Sequence, residues 1–141
     1  MTRLTRLLVV VATLVSMPVT VTHADEWGEG IYVESAKGTH YSANPFISPH
    51  GTVMQWILWD YDDPKESKDF RMVSMTILYE YDCRYERSKA LEVYLHSGKK
   101  GYGQRKSWPP REYGDWKYPI PGSTIQLQLR ASCSIMAEQL K

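Results

Sequence analysis

Arg71 to Cys83, read RMVSMTILYEYDC, decides the fold. Val73, Met75, Ile77, Tyr79 and Tyr81 fall on one side with Cys83, while Ser74, Thr76, Glu80 and Asp82 fall on the other. A period of two with one apolar side is the pattern of a β-strand with one buried face. Arg84 to Glu86 turns the chain, and Lys89 to His96 alternates again with Leu91, Val93 and Leu95 inward. The two runs, Arg71–Cys83 and Arg87–His96, are expected to form an antiparallel hairpin. Upstream, Val53 to Tyr61 is large on both sides: Val53, Ile57, Trp59 and Tyr61 on one, Met54, Trp56 and Leu58 on the other. Such a strand belongs in the middle of a sheet, with something packed on each face.

Around this core the expected elements are small. Gly30 to Glu34 and Thr39 to Ala43 read as short strands flanking a Lys37-Gly38 turn, and Asn44 to Gly51, with two prolines, as a loop. Asp62 to Lys68 is charged, contains Pro64, and reads as a turn or loop. Ser97 to Pro121 reads as a loop with one edge strand near Gly101 to Lys106. One helix follows. Ser123 can N-cap it, and Gln126 three residues on completes a capping box. Ile125, Leu129, Cys133, Met136 and Leu140 then recur at helical spacing, as one apolar face. The expected class is α+β: a small antiparallel sheet with one C-terminal helix packed across it. Cys83 and Cys133 both face that core, and they are the chain's two cysteines. A disulfide between them ties helix to sheet, and closing a loop of about 50 residues is worth roughly 4 kcal/mol in the chain-entropy model.

The N-terminus points to export. Arg3 and Arg6 precede an apolar run from Leu7 to Val15, then come Pro18 and the small-x-small ending Thr22-His23-Ala24. This is the order of a secretory signal peptide, too short for the roughly 20 apolar residues of a membrane anchor. The expected organisation is a signal peptide over residues 1–24 and a single domain over 25–141, with no transmembrane anchor in the mature chain. Export leads to the periplasm, the cell surface or the medium, oxidising spaces in which a cysteine pair bridges. The mature part carries 15 basic and 16 acidic side chains. That balance predicts no nucleic-acid partner, so electrostatic binding must come from local patches.

Several elements together resemble a known family. They are Trp56-Ile57-Leu58-Trp59-Asp60-Tyr61, the string Leu78-Tyr79-Glu80-Tyr81-Asp82-Cys83, Trp108, the approach from Trp116 to Pro121, Pro121-Gly122-Ser123, and the closing Cys133. The resemblance, over about residues 27 to 133, is to the surface-adhesin protein E family of Gram-negative bacteria. It implies a small antiparallel sheet with a disulfide-tied C-terminal helix, and a surface protein that binds host matrix or serum proteins.

No catalytic frame is visible. There is no Gly-x-Ser-x-Gly elbow, and His40, His50 and His96 are scattered. Metal ligands at close spacing are absent, and the acidic run Asp60, Asp62, Asp63 with Glu66 lacks the glycine and final glutamate of a calcium loop. The chain is therefore expected to be no enzyme and to need no cofactor or metal. The candidate partner-binding residues lie in region 97–118. Lys99, Lys100, Arg105 and Lys106 would steer an anionic partner; Trp108, Tyr113 and Trp116 would be apolar anchors, with Arg111 beside them. The competing reading makes the lysines a solvated edge that discourages sheet-to-sheet aggregation, and the aromatics a cover for that edge. The expected function is an exported, non-enzymatic module that adheres to a host protein or glycan. The alternative is a periplasmic envelope-accessory protein that self-associates, as a homodimer, along a strand edge.

Overall fold

The computed structural model describes residues 27–109 and 113–141. The expected signal peptide and Arg111 lie outside these. In chain order the elements are β1 (Ile31–Val33), β2 (Gly38–Ser42), β3 (Phe46–Ile47), β4 (Val53–Ser67), β5 (Phe70–Asp82), β6 (Arg87–His96), β7 (Arg105–Ser107) and α1 (Thr124–Gln139). The strands make one antiparallel sheet in the order β1-β2-β4-β5-β6-β7, with β3 paired to β4 beside β2. The architecture is α+β, with the helix tied to the sheet by a Cys83–Cys133 disulfide across a Cα separation of 5.8 Å.

The hairpin β5–β6 forms, with Ile77 opposite Val93 and Met75 opposite Leu95, but a register shift leaves Leu91 without a partner and puts Ala90, rather than Leu91, opposite Tyr79. β4 is central, paired to β5 on one side and to β2 and β3 on the other. Helix α1 packs where β4 begins and β5 ends: Val53, Tyr81, Leu129 and Met136 form the core there, with Tyr79 and Cys133 against it. Ser123 accepts a hydrogen bond from the Gln126 N–H through its side chain, and Gln126 Oε1 in turn accepts from the Gly122 N–H at 2.8 Å. Gly38 opens β2 where the chain crowds β4. A Cβ there would lie 2.5 Å from the Asp60 carbonyl oxygen, a position only glycine can fill.

Four expectations are corrected. Asp62 to Lys68 is no loop, because β4 continues to Ser67. Pro64 is tolerated since the β4–β5 ladder is interrupted between Asp60 and Lys65, where no strand N–H is needed. Phe46–Ile47 forms a short strand inside the expected 44–51 loop. On the helix, Leu140 is 75% exposed at the C-cap, beyond the reach of the sheet. Ile125 lines a hollow of about 340 Å³ with Tyr118, Ile120 and Tyr79 rather than the core. Finally, the polar side of β5 is buried as well: Ser74, Thr76 and Glu80 are all under 9% exposed. What covers it leads to the site.

Candidate binding groove

On the sheet face away from the helix, register aligns side chains in rows. Asp60, Ser74, His96 and Arg105 make one row, and Tyr41, Leu58, Thr76, Tyr94 and Ser107 the next. A third row holds Trp56, Leu78 and Glu92. The turn from Gly98 to Gly101 folds over the first of these. Ser74 explains how, since its hydroxyl donates to the Gly98 carbonyl at 2.6 Å and accepts from the Gly101 N–H at 3.0 Å. Asp60 Oδ1 accepts from the Lys100 N–H at 2.6 Å. A buried serine and a buried aspartate without such partners would each cost free energy, so these polar residues hold the turn down. Gly101 lies on Leu58, Thr76 and His96, with a positive φ of 77° suited to glycine. Lys100 itself is left-handed at φ 56°, a conformation that the Asp60 bond fixes.

Beyond the turn the face opens into a groove of about 450 Å³. Trp27, Trp56, Tyr94 and Tyr102 supply its rings, Lys100 and Arg105 its cations, Glu92 its carboxylate. Trp56 and Tyr94 stack with centroids 6.3 Å apart and planes 23° apart. The Arg105 guanidinium sits 4.5 Å over the Tyr94 ring, and the Lys100 ammonium 4.0 Å over the Tyr41 ring. These contacts orient both cations without neutralising them. Among the described residues neither forms an ion pair with a carboxylate. Tyr94 donates its hydroxyl to Glu92 at 2.7 Å, and that bond raises the phenol's pKa. His96 contacts Thr76 Oγ1 through Nε2 at 2.8 Å. Its pKa is lowered by burial first and by the nearby Arg105 charge second.

The seven residues expected in region 97–118 divide. Lys100 and Arg105 line the groove together. Lys99 turns aside, its ammonium donating to the Tyr61 carbonyl. Lys106 pairs in register with Leu95, which puts it on the helix side of the sheet. Trp108 and Tyr113 run along the outer edge of β6. The Trp108 N–H donates to the Val93 carbonyl, the Val93 N–H donates to the Tyr113 hydroxyl, and that hydroxyl donates to the Trp108 carbonyl. Trp116 lies under two cations, Arg87 at 4.8 Å and Lys89 at 4.5 Å, and is half-buried. Trp56, Tyr94, Glu92 and Trp27 were not expected in a site. Each reads as an ordinary strand or loop residue; the pairing of β4, β5 and β6 assembles Trp56, Tyr94 and Glu92, and the Gly28 N–H bond to the Ser42 carbonyl brings Trp27 alongside. The signal within reach was the polar Ser74-x-Thr76 side of β5, too polar for a core and too regular for a loop.

The geometry can be set beside known proteins. The family model for surface-adhesin protein E matches residues 19–134. No curated protein matches the chain. Among solved structures, crystal form II of Haemophilus influenzae protein E is similar in fold, with a TM-score of 0.56 and 13% identity over 68% of this chain and 80% of that one. The chain belongs to the surface-adhesin protein E family.

Proposed function

We propose, from the chain's membership of the surface-adhesin protein E family, that it is an exported, non-enzymatic domain that adheres to a host protein or glycan, and that the groove is its contact surface. The observation that carries this reading is the meeting of Trp56, Tyr94 and Tyr102 with two cations that have no carboxylate partner among the described residues. Tryptophan, tyrosine and arginine dominate binding hot spots because they bury large area at little cost in side-chain freedom. Lys100 and Arg105 steer and pair with an anionic partner, and Lys99 and Lys106 widen the positive field. Trp108, Tyr113 and Trp116 brace the segment that presents them. No helix among the described residues is long and apolar enough to cross a membrane.

The test is adhesion of cells producing the full chain to immobilised host matrix proteins. A Lys100→Glu/Arg105→Glu variant is expected to adhere at least about tenfold less. Equal adhesion would sink the reading, as would protection of the chain from protease added to intact cells.

The self-association reading has an observation of its own. β1 is an edge strand, and Ile31 and Tyr32 on it are 65% and 52% exposed. Sedimentation of the purified chain and of an Ile31→Lys variant decides it: a concentration-dependent assembly that the variant abolishes supports it, and a monomer throughout removes it.

A further inference from the structure

We propose that the groove is a site for an acidic saccharide, a sugar chain in which neutral rings alternate with carboxylate- or sulfate-bearing ones. This deepens the adhesion reading and rests on it. The groove lies in the middle of the sheet face, over β4, β5 and β6, whose backbone groups are already paired with neighbouring strands. An extended peptide gains most of its affinity by adding a strand at an open edge, and the edge nearest the groove, β7, is only three residues long. Apart from the backbone of Gly101 and Gly103, the groove offers side chains. Trp27, Trp56 and Tyr102 line it, and aromatic rings carry a negative face that attracts the C–H faces of sugar rings.

The charges narrow the choice further. Arg105 and Lys100, seated over Tyr94 and Tyr41, mark positions for an anionic substituent. Glu92, fixed by the Tyr94 hydroxyl, brings a carboxylate into the same groove. A uniform polyanion would meet repulsion there, whereas a sugar hydroxyl would find an acceptor. The volume, about 450 Å³, is that of a small-ligand site and takes a short stretch of the chain.

The experiment uses the full exported chain, purified from producing cells. Three probes are titrated by calorimetry: a hyaluronan octasaccharide (carboxylates only), a keratan sulfate octasaccharide (sulfates only, on every second ring) and a neutral chitin oligosaccharide. Binding of at least one acidic probe, with the neutral one much weaker, is expected. Arg105→Glu should weaken it by about tenfold or more, the scale of one lost charge-assisted contact. Lys68→Glu, in the exposed turn that joins β4 to β5, should leave it unchanged. The ratio of the two acidic probes tells carboxylate from sulfate. The proposal is overturned if neither acidic probe binds, if Arg105→Glu binds them as the parent does, or if polyglutamate competes as well as they do. Adhesion that is lost with Arg105→Glu but survives enzymatic removal of matrix glycans would overturn the saccharide while leaving the adhesion reading intact.

Discussion

Tyr81 is fully buried, yet its hydroxyl has no hydrogen-bond partner among the described residues. Burial pushes this phenol's pKa upward, with the neighbouring Tyr79 adding to it. An unpaired buried hydroxyl costs roughly 1–3 kcal/mol, whereas the ring itself fills the core beneath α1. Tyr81→Phe keeps the ring and removes the unpaired group. The expected outcome is an unchanged or higher urea midpoint, and a loss above about 1 kcal/mol would show that the hydroxyl is satisfied. Gln55 is the contrasting case. It is as deeply buried, but its amide donates to the Ala43 carbonyl at 2.6 Å and accepts from Ser132 at 2.8 Å and Gln128 at 2.6 Å. Glu80 is a third solution. Burial pushes its pKa up, but hydrogen bonds from Lys89 and Thr52 and the nearby charges of Lys89 and His50 outweigh that and lower it. None of the three was legible in the sequence, where Gln55 sits unremarked between Val53 and Trp56. A polar residue in an apolar strand declares its partner only once distant elements meet.

At the scale of elements, α1 leans on the sheet through few large side chains, chiefly Leu129 and Met136, with the Gln55–Gln128–Ser132 bonds beside them. So small a contact makes the Cys83–Cys133 bond a main tether. The Cys83→Ser/Cys133→Ser chain is expected to lose about 2–4 kcal/mol in urea unfolding, and reduction of the parent should reproduce that loss. A loss under about 0.5 kcal/mol would show that packing alone holds the helix. These elements were the legible part of the fold. β5 declared itself by strict alternation, β6 by alternation that holds from Val93 to His96 and shifts at Leu91, and α1 by Ser123 at its cap and by Leu129, Cys133 and Met136 at helical spacing. The misread stretch, Asp62 to Ser67, fails for a local reason: proline and charge signal a turn unless the ladder happens to break beside them. The groove was half legible. Lys100 and Arg105 came from composition, whereas Trp56 and Tyr94 are 38 residues apart and converge only through the register of three strands.

For the molecule as a whole, two histidines set the response to pH. His40 has its pKa lowered by burial, and His96 by burial and by Arg105. A base whose folded pKa is depressed takes up its proton more readily when unfolded. Its contribution to stability is therefore complete above the ordinary histidine value of about 6.5 and is lost as pH falls toward the folded values. The urea midpoint is expected to fall between pH 7 and 5. His96→Gln, which cannot take up the proton, should fall less steeply. A midpoint flat across that range would contradict the assignment. Glu80, with its lowered pKa, adds its own loss only at more acidic pH.

The two margins of the sheet are unequal. The outer side of β6 is occupied at Ser88 by Lys117 and from Val93 to His96 by Trp108, Tyr113 and β7, and β7 offers only three residues, two of them cationic. The opposite margin, β1, has no further strand beside it among the described residues. A body with a single joining surface has a valence of one: two copies that meet there use up each other's capacity, and growth stops. Pairing through β1 would therefore end at two copies rather than run on into fibres.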